Sequence, residues 1–174
     1  MSGGNAPWSE TVWLLAKNVL FTILVPGVAG VYLPLRIAGG PIPHPAWGLR
    51  PVAGIMLLAF GTVGYLWCQW EFATFGRGTP APIDPPKRLV IRGLHRYVRN
   101  PIYLSALTVV VGWAAYLSSP ALLLYAGALW IGFHAFVVSV EEPDLRRRFG
   151  ESYVQYCRHV RRWMPAKPDH KLGG

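Results

Sequence analysis

The sequence predicts an all-α fold, an integral membrane bundle of about four transmembrane helices with a C-terminal amphipathic helix on the cytoplasmic side. Three observations lead there. Hydrophobic residues make up 52% of the 174-residue chain and charged residues only 14%, with a mean hydropathy of +0.30, which is outside the habit of soluble domains. Four apolar stretches, each near the roughly 20 residues that cross a bilayer, are separated by Gly- and Pro-rich segments. Eight tryptophans suit the two headgroup layers, where indole rings are favoured. The length holds one core, so residues 1–174 are read as a single membrane domain.

The first span covers residues 11–35, with Lys17 and Asn18 near its start. Lys17 can snorkel to the interface. Pro26, Gly27 and Gly30 should kink this helix, which a membrane bundle tolerates when neighbours re-satisfy the backbone. The first ten residues carry no basic n-region and no small-residue cleavage site follows, so the span is expected to be retained. Residues 36–50 contain Gly39-Gly40-Pro41 and Pro43-His44-Pro45 and read as a loop. The second span covers residues 51–70. Its Gly54, Gly61 and Gly64 would let another helix approach closely, and Trp67 and Trp70 suit its interfacial end.

Residues 76–100 form a connector whose first half is too rich in Pro and Gly for a long helix. The third span, residues 101–117, begins at Asn100-Pro101, an N-cap residue followed by a proline at the first helical position. Ser118-Ser119-Pro120 turns the chain into the fourth span, residues 120–140. Residues 141–165 read as a cytoplasmic tail. Leu145, Phe149, Tyr153, Tyr156, Val160 and Trp163 recur at spacings of three and four, an apolar stripe on a helix that lies on the membrane surface or packs beneath the bundle.

The net charge of +9 is a topology signal before it is anything else. Six basic residues stand against Asp84 between positions 76 and 99, and eight against five acids from Glu141 onward, while the loop between spans one and two holds only Arg36 and Arg50. The positive-inside rule places the connector, the tail and both termini in the cytoplasm, and leaves no call for nucleic acid. Cys68 and Cys157 lie far apart, without the spacing of a disulfide framework or a metal site.

Two polar marks interrupt this apolar chain. One is residues 92–103, where an imidazole, guanidinium groups, a carboxamide and the phenols of Tyr97 and Tyr103 run into the third span. The other is Glu141-Glu142-Pro143 at the end of the fourth. An antiparallel helical hairpin returns the chain to the side it left, so the two marks should meet at one membrane face. Each has a plain reading: a capped helix start with snorkelling arginines, and a solvated helix end. Two adjacent acids at a helix C-terminus nevertheless oppose the macrodipole and call for a cation. His134 precedes Glu141 by about two turns and shares its face. An ionisable group within a span is a site candidate, although a neutral histidine bonded to another helix fits equally.

Arg99-Asn100-Pro101-Ile102-Tyr103, the apolar hairpin, Glu141-Glu142 and Phe149-Gly150-Glu151-Ser152-Tyr153 together resemble the isoprenylcysteine carboxyl methyltransferase and phospholipid methyltransferase superfamily, whose pattern is Arg-His-Pro-x-Tyr-x-Gly, a hydrophobic stretch, then Glu-Glu. The similarity runs over residues 76–165. It implies an integral membrane methyltransferase that uses S-adenosylmethionine held between the cytoplasmic helix ends and the tail. Gly93, Leu94 and His95 would line the adenosine side, with Arg99, Asn100, Tyr103, His134 and Tyr153 around the cofactor. Glu141 and Glu142 would face its positive charge, and Arg99, Asn100, Glu142 and Arg146 would be catalytic. Gly76-Arg77-Gly78 corresponds to a Gly-x-Gly element of the family. Asn100 stands where the pattern has His and cannot take up a proton at neutral pH. Ser105 stands where it has Gly, which would reshape the pocket. No metal is implied. The acceptor would be a membrane lipid or small apolar molecule (an amine, thiol or carboxylate), and the oligomeric state is open. Two other classes stay in view: a non-catalytic membrane subunit or small transporter, and a haem-binding electron carrier, for which only His134 lies clearly within a span.

Overall fold

The computed structural model describes residues 12–13, 16–17, 19–20, 22–23, 26–39, 48–76 and 87–165. Asn18, most of the loop at residues 36–50, and Arg77 and Gly78 lie outside them. The described elements are all helical. Helix α1 (Val28–Ile37) follows Pro26 and opens as a π-helix over Val28–Tyr32. Helix α2 (Leu49–Gly76) and helix α4 (Pro120–Phe149) are long and apolar enough to cross a membrane, and α3 (Pro101–Tyr116) is a shorter apolar helix. Helix α5 (Glu151–His159) follows α4. Only 22% and 17% of the apolar windows of α2 and α4 are buried, which sets them apart from the core helices of soluble proteins. Phe60 and Leu124 are among the large side chains that point outward.

Helices α2 and α3 form the most intimate pair, and glycine makes it possible. A Cβ on Gly54 would stand 2.6 Å from the Tyr116 backbone nitrogen, one on Gly61 2.7 Å from the Ser105 carbonyl, and one on Gly112 2.8 Å from the Leu58 nitrogen. Backbone here touches backbone, as the small residues of the second span lead one to expect. Ser105 belongs to this seam and not to a pocket. It is buried with its hydroxyl against Gly64, so the extra side chain is taken up between the helices.

The α3–α4 hairpin turns at Ser118 (φ 50°), with the Ser119 N–H donating to the Ala114 carbonyl. Helix α4 does not stop at residue 140. It passes through a π-turn at Val137–Glu141 and continues to Phe149, with Pro143 in the first turn of the resumed α-helix. A π-turn shifts the hydrogen-bond register, and here it precedes a residue that has no N–H to give. At about 1.5 Å per residue these 30 residues are longer than the roughly 30 Å hydrocarbon core of a bilayer.

The tail is not one helix. Gly150 adopts φ 53° and ψ −128°, breaking the stripe between Phe149 and Tyr153, and Val160 is extended. The stripe residues still converge, because Tyr153, Tyr156 and Val160 form a buried cluster against Leu89, Ile91, Leu145 and Phe149.

Candidate active site

The antiparallel hairpin brings the two polar marks together. Tyr103, one turn into α3, donates its hydroxyl to Glu141 Oε2 at 2.7 Å. Arg99, just before α3, sets Nη1 3.1 Å from Glu142 Oε1. Arg162 reaches Glu142 from the tail with a two-pronged contact, Nε to Oε1 at 2.6 Å and Nη2 to Oε2 at 2.8 Å. Such paired contacts are the strong form of a guanidinium–carboxylate bond.

The tail is stitched to the start of α3 by its backbone. The Arg99 N–H donates to the Arg161 carbonyl (2.9 Å), the Asn100 side-chain amide to the Arg162 carbonyl (3.1 Å), and the Tyr156 hydroxyl to the His95 carbonyl (2.6 Å). Asn100 therefore does not cap its own helix with its side chain. It holds the tail in place.

Between these elements lies a cleft of about 120 Å³, walled by Arg99, Asn100, Tyr103, Glu141 and Glu142 on the polar side and by Phe72, Leu145 and Tyr153 on the apolar side. Its two glutamates differ in kind. Burial works to raise the Glu142 carboxyl, but the bonds from Arg162 and the charge of Arg99 outweigh it and hold the group below the usual carboxylate range. Burial raises Glu141, and the adjacent Glu142 adds to that against the opposing Tyr103 bond. Among the described residues no cation contacts Glu141, so its charged form sits desolvated at the cleft without a counter-ion. Arg99, which also lines the cleft, has a buried Nε without a partner among the described residues. Its Nη1 meanwhile serves Glu142 and the Cys157 sulfur at 2.8 Å. A carboxylate without a cation and a guanidinium on one cleft fit a zwitterionic ligand that carries a cation and a carboxylate.

The phospholipid methyltransferase family description matches residues 49–152, which is more than half of the chain and contains α2, α3, α4 and the hairpin that builds the cleft. The chain belongs to the phospholipid methyltransferase family. Among its relatives, methanethiol S-methyltransferase 1 of Bradyrhizobium diazoefficiens is 37% identical over 81 residues, covering 46% of this chain and 27% of that protein. Phosphatidylethanolamine N-methyltransferase of Yarrowia lipolytica is 26% identical over 149 residues, covering 80% of this chain and 15% of that protein. The chain thus spans about a quarter or less of these relatives' own length. No solved structure matches it.

The residues expected to form the site of this phospholipid methyltransferase family member divide into two groups. His95, Arg99, Asn100, Tyr103, Glu141, Glu142 and Tyr153 all line the cleft. Gly93, Leu94, His134 and Arg146 do not. Gly93 begins a short 3₁₀ turn (Gly93–Arg96) that presents His95 with Nδ1 3.4 Å from Glu71 Oε2. His134 accepts a bond from Trp163 Nε1 at 3.0 Å and stacks on Trp130, so it anchors the tail. The π-turn between His134 and Glu141 removes the helical phase that would have put them on one face. Arg146 is exposed and acts on Glu142 through its charge alone.

Arg162 and Glu71 do not line the cleft but hold two residues that do, Glu142 and His95, and sequence reasoning missed both. Arg162 reads as one of several off-stripe arginines until the chain leaves the helix after His159 and turns it inward. Glu71 reads as the interfacial end of a span. Its signal was Gly93, whose φ of +47° and lack of Cβ leave the space Glu71 occupies: a Cβ there would fall 2.0 Å from Glu71 Oε1. Gly93→Ala should therefore displace Glu71, release His95 and destabilise the protein by about 1–3 kcal/mol. Thermal unfolding in detergent measures this, and an unchanged transition would show that the Glu71–His95 wall is not under this constraint.

Proposed function

We propose that the protein is a membrane methyltransferase that takes its methyl group from S-adenosylmethionine and passes it to a lipid-like or small apolar acceptor. The observation that carries this reading is the buried carboxylate of Glu141, which meets no cation among the described residues and shares the cleft with Arg99. In this reading the chain crosses the membrane four times, with both termini and the cleft on the cytoplasmic side, as the basic connector and tail support. The names of the two relatives favour a thiol or a phospholipid amine as acceptor.

S-adenosylmethionine, when bound, supplies an electrophilic methyl on a sulfonium whose positive charge is lost as the methyl leaves. Glu141 would meet that charge, and Arg99 would be the cation available to the ligand's carboxylate. Glu142 does not need to touch the ligand. Locked between Arg99 and Arg162, it fixes the guanidinium and closes the tail over the cleft. His95 and Phe72, edge to face at 5.3 Å, form part of the opposite wall. Transfer would form the acceptor–carbon bond as the carbon–sulfur bond breaks, with that electron pair left on sulfur. Once the positive charge is gone, the Glu141 carboxylate is more basic, and it takes the proton of a neutral acceptor through the Tyr103 hydroxyl. Positioning accounts for most of the acceleration.

Calorimetric binding of S-adenosylmethionine and S-adenosylhomocysteine to the detergent-purified chain, followed by transfer of labelled methyl to candidate thiols and phospholipid amines, tests the proposal. Folded protein that binds neither compound at millimolar concentration would sink it. A pH profile adds a sharper check. Glu141 must be ionised to hold a cation, so activity falls as pH drops through its folded pKa, which lies above the usual carboxylate value. Tyr103→Phe removes the bond that lowers this pKa, so the acid limb should move to higher pH and turnover should drop by roughly tenfold or more. An acid limb that stays in place would remove Glu141 from the reaction.

A further inference from the structure

Two cavities lie outside the cleft. One, of about 270 Å³, has no charged lining residue among those described and adjoins the cleft at Ile102 and Tyr103. The other, of about 520 Å³, is an open groove between the end of α2 and the 3₁₀ turn, and its wall is charged. Arg92, just before that turn, and Arg96, at its end, line the groove together with Trp67, Trp70 and Glu71 of α2. Among the described residues neither guanidinium makes an ion pair. Arg92 instead lies over the Phe75 ring, 5.0 Å from its centroid. Glu71 is the only acid among the described lining residues, and both of its oxygens are engaged. Trp67 Nε1 donates to Oε1 at 3.1 Å, and His95 Nδ1 lies 3.4 Å from Oε2. Two guanidinium groups and one engaged carboxylate leave the groove with a single positive charge in excess. The groove also runs into an apolar surface. Phe60, Val63, Trp67 and Trp70 recur at spacings of three, four and three along α2, and all are more than half exposed. They form one outward stripe, opposite the face on which Gly54, Gly61 and Tyr65 are buried.

We propose that this groove holds one anionic phospholipid of the surrounding bilayer, its phosphodiester at Arg92 and Arg96 and an acyl chain along the stripe from Trp70 to Phe60. Indole rings favour the headgroup level, so Trp67 and Trp70 set the groove at the membrane interface and leave Val63 and Phe60 among the chains. Guanidinium forks match phosphate oxygens in geometry as well as charge. The single excess charge of the groove suits a phosphodiester monoanion. A zwitterionic headgroup would bring an ammonium up to two arginines, where the one carboxylate already has partners. Free phosphate would use the arginines and leave the stripe bare, whereas a lipid covers both. The lipid held here is not the methyl acceptor. Glu71 lines the groove and not the cleft, while His95 lines the cleft and not the groove, so their contact divides the two. The proposal depends on the membrane character of the chain and not on methyl transfer.

The test is native mass spectrometry of the full chain released from mixed micelles of phosphatidylglycerol and phosphatidylcholine with the same acyl chains. The chain should retain one phosphatidylglycerol molecule saturably, in preference to phosphatidylcholine by about tenfold or more. Arg92→Gln combined with Arg96→Gln should erase that preference. Arg50→Gln, which removes a charge at the opposite end of α2, should leave it intact. Equal retention of the two lipids by the parent chain would overturn the proposal, and that reading needs no variant. So would a preference that survives the double substitution, or one that Arg50→Gln weakens as much, since the lipid would then answer only to overall charge. Displacement of the bound lipid by millimolar glycerol phosphate would also overturn it, by showing a site for a soluble anion. Because no methyl donor enters the measurement, a chain that retains the lipid but binds no S-adenosylmethionine would disprove the methyltransferase reading and not the lipid site.

Discussion

Glu142→Ala should abolish S-adenosylmethionine binding and destabilise the fold more than any other single change in the cleft. The side chain is 16% exposed and takes three close contacts, one from Arg99 and two from Arg162. Removing it leaves two guanidinium groups facing each other without an anion, and breaking a buried pair from one side costs about 3–5 kcal/mol. The partial exposure of Arg162 brings the expected loss to roughly 2–3 kcal/mol. The function suffers more than the stability does, because Arg99 loses its fixed orientation and the tail loses its clasp on the cleft. The same contact predicts a pH response. The Glu142 carboxyl is held below its unfolded value, so its contribution is complete above the unfolded pKa, near 4.3, and disappears as pH falls through the folded one. Glu141, held high, has the opposite sign and loses its penalty on protonation. Thermal unfolding of the parent and Glu142→Ala between pH 7 and pH 3 should therefore converge. A gap that stays constant across that range would mean the ion pair contributes nothing.

Gly61→Val should separate the two central helices. Its Cβ would lie 2.7 Å from the Ser105 carbonyl and 2.9 Å from the Val109 nitrogen, and backbone atoms cannot rotate aside. Overpacking a close seam costs about 1–3 kcal/mol, and the consequence reaches the cleft. Helix α2 carries Phe72 and Glu71 while α3 carries Tyr103, so any shift between the two helices misaligns opposite walls of the site. Lower thermal stability together with weakened S-adenosylmethionine binding is the expected outcome. Gly127→Ala and Gly132→Ala on α4 are the controls, since a Cβ at either meets nothing within 4 Å. Alanine there should be neutral or stabilising by up to about 1 kcal/mol. If Gly61→Val unfolds no earlier than these controls, glycine is not what brings α2 and α3 together.

The helices, and the meeting of residues 92–103 with Glu141-Glu142, were legible because they depend on local composition. Apolar runs of the right length, Asn-Pro at a helix start and Ser-Ser-Pro at a turn act within a few residues, and an antiparallel hairpin returns its end to its beginning whatever else the protein does. The seam glycines of the second span were legible for the same reason, whereas Gly112 on α3 was not. The register of α4 was not. A π-turn at Val137–Glu141 has no compositional signature, and it parts His134 from Glu141. Nor could the stripe of the tail reveal that Gly150 would break it and that Arg162, past the last helix, would turn back to clasp Glu142.

Family membership, the membrane character and most of the polar side of the cleft wall thus follow from the sequence by itself, since each rests on residue types in order along the chain. Only the tertiary structure decided which glutamate is paired with arginines and which meets no cation among the described residues, that Asn100 and His134 hold the tail, and that a cavity with no charged lining residue among those described adjoins the cleft. Those outcomes depend on contacts between residues far apart in the chain, whose energies arise only when desolvation and partner geometry are set together.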